Sequence, residues 1–185
     1  TLRMVAGFRG TVKLEGTPWS GKHNDNSYLP EKRKDYFFAT NKGPGVAVDS
    51  QWEDPRPTKN GPLPDAQGEY HGLYRYTNNT VLSYSVGGSK ILETPWVLGG
   101  GILRSFEIEA MKREVEILVQ DPLEGGGQIK VTLRGAPNGV SLKTYDSGRI
   151  SVQLEKGSKG RFDVVFAPEG AILPKIERSS IKSLT

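Results

Sequence analysis

The stretch GLYRYTNNTVLSYSVGGSKILE, residues 72–93, decides the fold class. Two residue pairs in it, Asn78-Asn79 and Gly87-Gly88, tolerate the positive φ that two-residue hairpin loops demand, so it reads as three antiparallel strands joined by two tight turns. With two residues in each loop, Thr77 faces Thr80 and Val86 faces Ser89, and every side chain falls on one of two faces. Leu73, Leu82, Tyr84, Val86 and Ile91 share one face, with Arg75 and Glu93 towards its ends; this face is expected to be core. Tyr74, Tyr76, Val81, Ser83, Ser85 and Leu92 share the other. That mixture of rings and hydroxyls suits a half-buried interface or a surface that holds a polar ligand.

The pattern extends in both directions. Residues 2–15 read as two β segments around residues 7–10, residues 16–30 as a polar loop, and residues 36–40 as a short apolar strand. Residues 43–68 are proline-rich and almost without periodicity, which in a compact domain implies a functional loop or one packed as a cover. After the central stretch, residues 103–110 and 114–120 are expected to form a hairpin. Four alternating strands follow, at 128–134, 140–145, 149–155 and 161–167. In them Ile129, Val131 and Leu133, then Ile150, Val152 and Leu154, then Phe162, Val164 and Phe166 point one way, and charged residues point the other. The expected fold is all-β, an antiparallel sandwich of about 10–12 strands spanning residues 1–170, with residues 171–185 as a linker or docking tail. A closed barrel is the lesser alternative.

Composition agrees with this reading. At 185 residues the chain suits one domain able to bury a core without metals or disulfides, and 23 glycines and 12 prolines with only 35% hydrophobic residues favour short strands and turns. The net charge is +4, but basic residues are scattered among 21 acidic ones, and the densest cluster, Lys32-Arg33-Lys34, sits beside Glu31 and Asp35. A solvated loop explains it better than a nucleic-acid groove. With no cysteine, this segment has no disulfide, no thiolate chemistry and no covalent haem attachment through a CxxCH motif. No apolar run approaches the ~20 residues of a membrane-spanning helix. The chain opens on a strand-like pattern with no signal-peptide signature and reads as a mature or excised segment.

Three segments carry a family resemblance: LRMVAGFRGTVKLEG at 2–16, WEDPRPTKNGPLP at 52–64 and YHGLYRYTNNTVLSYSVGGSKILETP at 70–95. Together they resemble an uncharacterised β-rich domain of large secreted bacterial proteins that also carry a quinoprotein-like or sorbosone-dehydrogenase-like β-propeller and a c-type cytochrome domain. The resemblance covers about the first hundred residues and supplies no catalytic residues to carry over. It implies a piece of a longer polypeptide, periplasmic or extracellular, whose haem c or quinone belongs to the propeller and cytochrome partners.

Ligand-binding candidates are Trp19, Trp52, Trp96, Tyr70, Tyr74 and Tyr76, whose rings offer platforms for sugar rings, together with Arg75 beside them. The competing account is that large aromatic residues in a β domain anchor core and loops. For metal, Asn24 and Asp25 offer oxygen ligands that calcium would accept if Asp49, Glu53 or Asp54 joined them, but local Asx turns account for the loop more simply. Arg75 and Glu93 are expected to meet as a structural ion pair. The sharper alternative makes Glu93 a general base, as in the mutarotase-like sandwiches, with His71 or His23 as the acid. The expectation is a non-catalytic accessory domain that binds saccharide or packs against partner domains; the alternatives are a carbohydrate-active enzyme domain and a purely structural one.

Overall fold

The computed structural model describes residues 1–10, 35–76, 79–122 and 129–174. Twelve strands lie among them: β1 (Ala6–Phe8), β2 (Tyr36–Ala39), β3 (Val46–Val48), β4 (Gly68–Tyr76), β5 (Asn79–Val86), β6 (Ser89–Leu98), β7 (Gly101–Ile108), β8 (Val115–Gln120), β9 (Ile129–Arg134), β10 (Val140–Thr144), β11 (Ile150–Leu154) and β12 (Gly160–Pro168). They form a six-stranded sheet in the order β4-β5-β6-β7-β12-β9, a four-stranded sheet in the order β10-β11-β8-β3, and a two-stranded ribbon of β1 and β2. Every ladder is antiparallel. Neither larger sheet closes on itself, so the fold is the expected sandwich and not the barrel.

Alternation builds the core. Tyr84, Val86, Ile91, Phe106, Ile108, Phe162, Val164 and Phe166 of the larger sheet meet Val46, Val48, Val115, Ile117, Val119, Val152 and Leu154 of the smaller one. The Phe106 and Phe162 rings stack at 4.9 Å, and Phe38 of the ribbon lies 4.4 Å from Phe166. A separate cluster on the outer face of the larger sheet joins Leu103, Val165 and Ala167 with Trp96, Leu98 and Leu173.

The central stretch forms a meander, with corrections. Gly87 and Gly88 adopt φ of 56° and 77°, and Val86 pairs with Ser89 as expected. In the first hairpin, however, Tyr76 pairs with Asn79, so Asn79 belongs to β5 and the connection is residues 77 and 78, outside the described residues. The slip amounts to two positions, which changes the partners but leaves each residue on its expected face. A bulge at His71 shifts the register once more, Tyr70 facing Tyr84 and Gly72 facing Ser83.

Two further expectations are corrected. Residues 103–120 do not form a hairpin: β7 joins the larger sheet and β8 the smaller. The connection carries Met111 into the core, where its N–H donates to the Ser158 carbonyl and its own carbonyl accepts from Gly157. Strand alternation alone fits either sheet, and the buried methionine fixes the crossing. Leu73, expected in the core, is 53% exposed. The β5–β6 ladder runs from Val86 facing Ser89 only to Leu82 facing Glu93, and Pro95 follows on β6. Proline has no amide hydrogen for a neighbouring strand. Beyond that point β5 pairs with β4 alone, and the β4–β5 hairpin continues as a two-stranded arm.

Glu93 and Arg104 lie between the sheets, 3% and 1% exposed. Arg104 Nε donates to Glu93 Oε1 at 2.6 Å, and Nη2 to Oε2 at 3.2 Å; the Tyr84 hydroxyl donates to Oε2 at 2.8 Å. The remaining Arg104 nitrogen, Nη1, donates to the Leu118 carbonyl on the opposite sheet at 3.0 Å. Arg75 instead faces Thr80 and is exposed, so the expected Arg75–Glu93 pair does not form. Register explains the choice: Glu93 faces Phe106, which puts Arg104 on the diagonal of the same inner face. Burial, with the neighbouring Glu93 charge adding to it, pushes the Tyr84 hydroxyl well above its ordinary range, so it remains a donor. Removing one member strands a buried charge. Arg104→Met is expected to cost about 3–5 kcal/mol in urea unfolding, and the triple variant Tyr84→Phe/Glu93→Leu/Arg104→Met to recover most of it; a single-variant loss below about 1 kcal/mol would contradict this role.

Candidate functional site

The arm presents Tyr74 and Tyr76, and Tyr70 stands before it, where β5 still pairs with β6. Tyr70, Tyr74 and Tyr76 are 56%, 48% and 45% exposed, alongside Leu73. Tyr74 and Tyr76 occupy the outer face, two residues apart and therefore about 7 Å along the strand. The Tyr74 ring folds back over Gly72, where an added Cβ would sit 4.0 Å from the ring's Cε2, Cζ and Oη. The ring thus lies along the strand. Tyr70 faces Tyr84 and belongs to the opposite side with Leu73 and Arg75. His71, at the bulge, places Nε2 3.1 Å from the Ser85 hydroxyl.

The tryptophans are placed differently. Trp96 is half-buried in the outer cluster, its Nε1 buried without a partner among the described residues. Trp52 donates from Nε1 to the Tyr145 hydroxyl at 3.0 Å, and one face of its ring is covered by the Arg149 guanidinium at 5.1 Å. Trp19, His23, Asn24 and Asp25 lie outside the described residues.

Sequence reasoning missed a second constellation, on the outer face of the smaller sheet. Glu116 is fully buried there, and its carboxylate accepts four hydrogen bonds: from Ser50 at 3.1 Å and Lys143 at 2.9 Å on Oε1, and from Tyr145 at 2.5 Å and Ser151 at 2.6 Å on Oε2. Its cross-strand neighbour Ala47 is small enough to let these groups converge. Ser50 reaches it from a turn in which both Asp49 and Ser50 have positive φ, 50° and 61°. The Asp49 carboxylate in turn accepts from Arg113. Burial alone would push the Glu116 carboxyl up, but the hydrogen bonds from Ser151, Tyr145 and Lys143 outweigh it and hold it below its ordinary value of 4.5. A carboxylate so saturated is an anchor; it has no lone pair left to take a substrate proton.

Of the catalytic candidates, Glu93 and His71 lie among the described residues and do not converge. Glu93 is committed to Arg104 and Tyr84 inside the sandwich, whereas His71 stands on the edge strand. Asp54 grips Arg56 through both carboxylate oxygens, at 2.8 and 2.7 Å, and these hydrogen bonds hold its carboxyl down to about 2. Arg56 also donates to the Gly61 carbonyl at 2.6 Å, and Leu63 enters the core. The long loop expected to be almost structureless is therefore braced, and its first part is β3. No group of three or more histidine, cysteine, aspartate or glutamate residues stands ready for a metal ion among the described residues.

Glu116 predicts a pH dependence. Its folded-state pKa lies below its unfolded value, so its contribution to stability is full above that unfolded value and disappears as pH falls through the folded one. Urea midpoints are expected to fall as pH drops below about 4.5, with Glu116→Gln reducing that part of the slope while costing about 1–3 kcal/mol near neutrality. Parallel profiles for the two proteins would contradict the assignment.

No helix among the described residues is long and apolar enough to cross a membrane. No curated protein and no solved structure matches the chain. The family described as "domain of unknown function (DUF6797)" matches residues 1–93, which run from the N-terminal ribbon through the tyrosine arm to Glu93. That match takes in half of the 185 residues, and the chain belongs to this family.

Proposed function

We propose that this chain is a non-catalytic accessory domain of a secreted or periplasmic multi-domain redox protein, recognising saccharide through the tyrosines of the β4–β5 arm. The observation that carries the reading is the half-exposed state of Tyr74 and Tyr76 on a hairpin that has left the body of its sheet, with exposed Tyr70 further back on the same strand. The Tyr74 ring, lying along the strand, presents an apolar face to pyranose C–H surfaces, while the phenol hydroxyls of Tyr74 and Tyr76 provide hydrogen bonds at the edges. Glu93 and Glu116 are buried and multiply hydrogen-bonded, which favours binding over acid–base catalysis.

A second reading assigns the same arm to packing against β-propeller and c-type cytochrome domains, with the segment from residue 171 leading towards them. Exposed Leu73 and the free edge of β4 favour it. Haem c or a quinone would then reside in those partners.

Affinity electrophoresis through gels containing soluble polysaccharides separates the readings. Retardation by at least one polysaccharide is expected, and Tyr74→Ala/Tyr76→Ala is expected to weaken it about tenfold or more without altering the thermal midpoint by more than about 2 °C. Unretarded migration in every gel, together with a tight complex with a propeller fragment, would replace saccharide recognition by domain packing.

A further inference from the structure

Strand β4 forms one edge of the larger sheet, and among the described residues only β5 pairs with it. The backbone groups it leaves open follow from the turns. The two-residue loop Gly87-Gly88 makes Val86 and Ser89 a hydrogen-bonded pair, so the even-numbered residues of β5 bond to β6 and the odd-numbered ones to β4. The Gly87 N–H, which donates to the Gln67 carbonyl at 3.2 Å, keeps that parity. On β4 the residues opposite the even positions are Gly68, Tyr70, Leu73 and Arg75, and these turn their amides and carbonyls to the open edge. A row of unpaired backbone groups of this kind is a template for another strand, and β4 has neither proline nor lysine to block one.

The side chains select the occupant. When two copies of β4 pair antiparallel about a dyad through Leu73, every facing pair shares a face and joins groups that suit each other. Leu73 meets Leu73 of the second copy, burying two side chains that are each 53% exposed in the single chain. Gly72 faces Tyr74 of the second copy, and because no Cβ stands at Gly72 the two Tyr74 rings meet over the glycines. Arg75, exposed and without an ion pair among the described residues, falls opposite Tyr70 of the second copy, within reach of a cation–π contact. Tyr76 falls opposite Glu69 of the second copy, a hydroxyl donor beside a carboxylate. The bulge keeps this register: Arg75 of the second copy faces Tyr70 and His71 together, as Tyr84 does from the other side. A dyad at Arg75 would oppose two guanidinium groups, and one at Tyr74 would leave Glu69 and Tyr70 beyond the overlap of the strands.

We propose that β4 pairs with β4 of a second copy of this chain, joining the two larger sheets into one continuous sheet across a two-fold axis. A strand from an unrelated protein would have to supply the complement of this edge, whereas a second copy carries it by symmetry. The same axis brings Tyr74 and Tyr76 of both copies onto one outer face, as a strip of four rings. The inference stands without the saccharide reading; where the arm holds saccharide, the pairing doubles the length of its platform.

Sedimentation equilibrium of the full chain tests the pairing. A mass of twice 20.3 kDa is expected at high concentration, with a dissociation constant of about 1–100 µM, as suits a small interface built on one strand edge. Leu73→Lys sets two ammonium groups against each other at the dyad and is expected to weaken the dimer about tenfold or more. The thermal midpoint of the dilute variant is expected to move by less than about 2 °C, because Leu73 is half-exposed in the single chain. Cross-linking reads the register, since the chain has no cysteine of its own. Hydrogen-bonded partners across an antiparallel pair lie about 5.5 Å apart between Cα atoms, inside disulfide range, so Leu73→Cys is expected to oxidise to a covalent dimer in air. The two Arg75 positions lie about 13 Å apart in this register, so Arg75→Cys is expected to give no such product. A monomer at about 1 mM, a dimer that Leu73→Lys leaves intact, or Arg75→Cys cross-linking as fast as Leu73→Cys would each overturn the proposal. Polysaccharide retardation of a protein that stays monomeric removes the dimer alone, and a dimer that no polysaccharide retards removes the saccharide reading alone.

Discussion

The sandwich depends on one cation placed where none should be cheap. Arg104 sits between two apolar sheets, and its position is tolerable only because Glu93, itself held by the Tyr84 hydroxyl, meets it from its own sheet and the Leu118 carbonyl meets it from the other. An isolated guanidinium there would carry an uncompensated desolvation cost, so the group constrains how the sheets can slide. Apolar side chains alone accept many sheet offsets; a fork of directed N–H bonds accepts few. The arrangement of the inner faces, the corner filled by Met111 and the stacked phenylalanines are all compatible with the offset that this cluster selects.

The same economy of charge separates anchoring from recognition. Glu93 and Glu116 are buried, multiply hydrogen-bonded and spent on holding strands together. The tyrosine rings of β4 are exposed instead, at the edge of the larger sheet. Buried, bonded polarity and exposed aromatic surface thus occupy different places.

Alternation made the fold class legible, because the inward positions of β5, β11 and β12 are apolar almost without exception and a glycine pair marks the β5–β6 turn. It did not reveal which sheet a strand joins, since β7 and β8 have the same period whether they pair or part. It also left Glu93 with the wrong partner. Arg104 shares its parity with Phe106 and Ile108, and that cation on an apolar side was the available signal. Glu116 was harder to find: in VEILVQ it reads as an ordinary solvent-facing residue, and only the three-dimensional convergence of Ser50, Lys143, Tyr145 and Ser151 gives it meaning. The exposed tyrosines were legible as a face. Their freedom from the sheet was not, because it depends on where the β5 ladder stops.

The turn at Asp49 and Ser50 carries a final implication. Two consecutive non-glycine residues in the left-handed region strain the backbone by about 1–2 kcal/mol each, and glycine is the usual remedy at such positions. Here that remedy would work against the molecule. Asp49 clamps Arg113, and Ser50 caps the Glu116 carboxylate on the outer face of the smaller sheet, so relaxing the bend would unlatch both at once. A local repair would loosen two distant surfaces, and the discomfort of the bend is what keeps them in step.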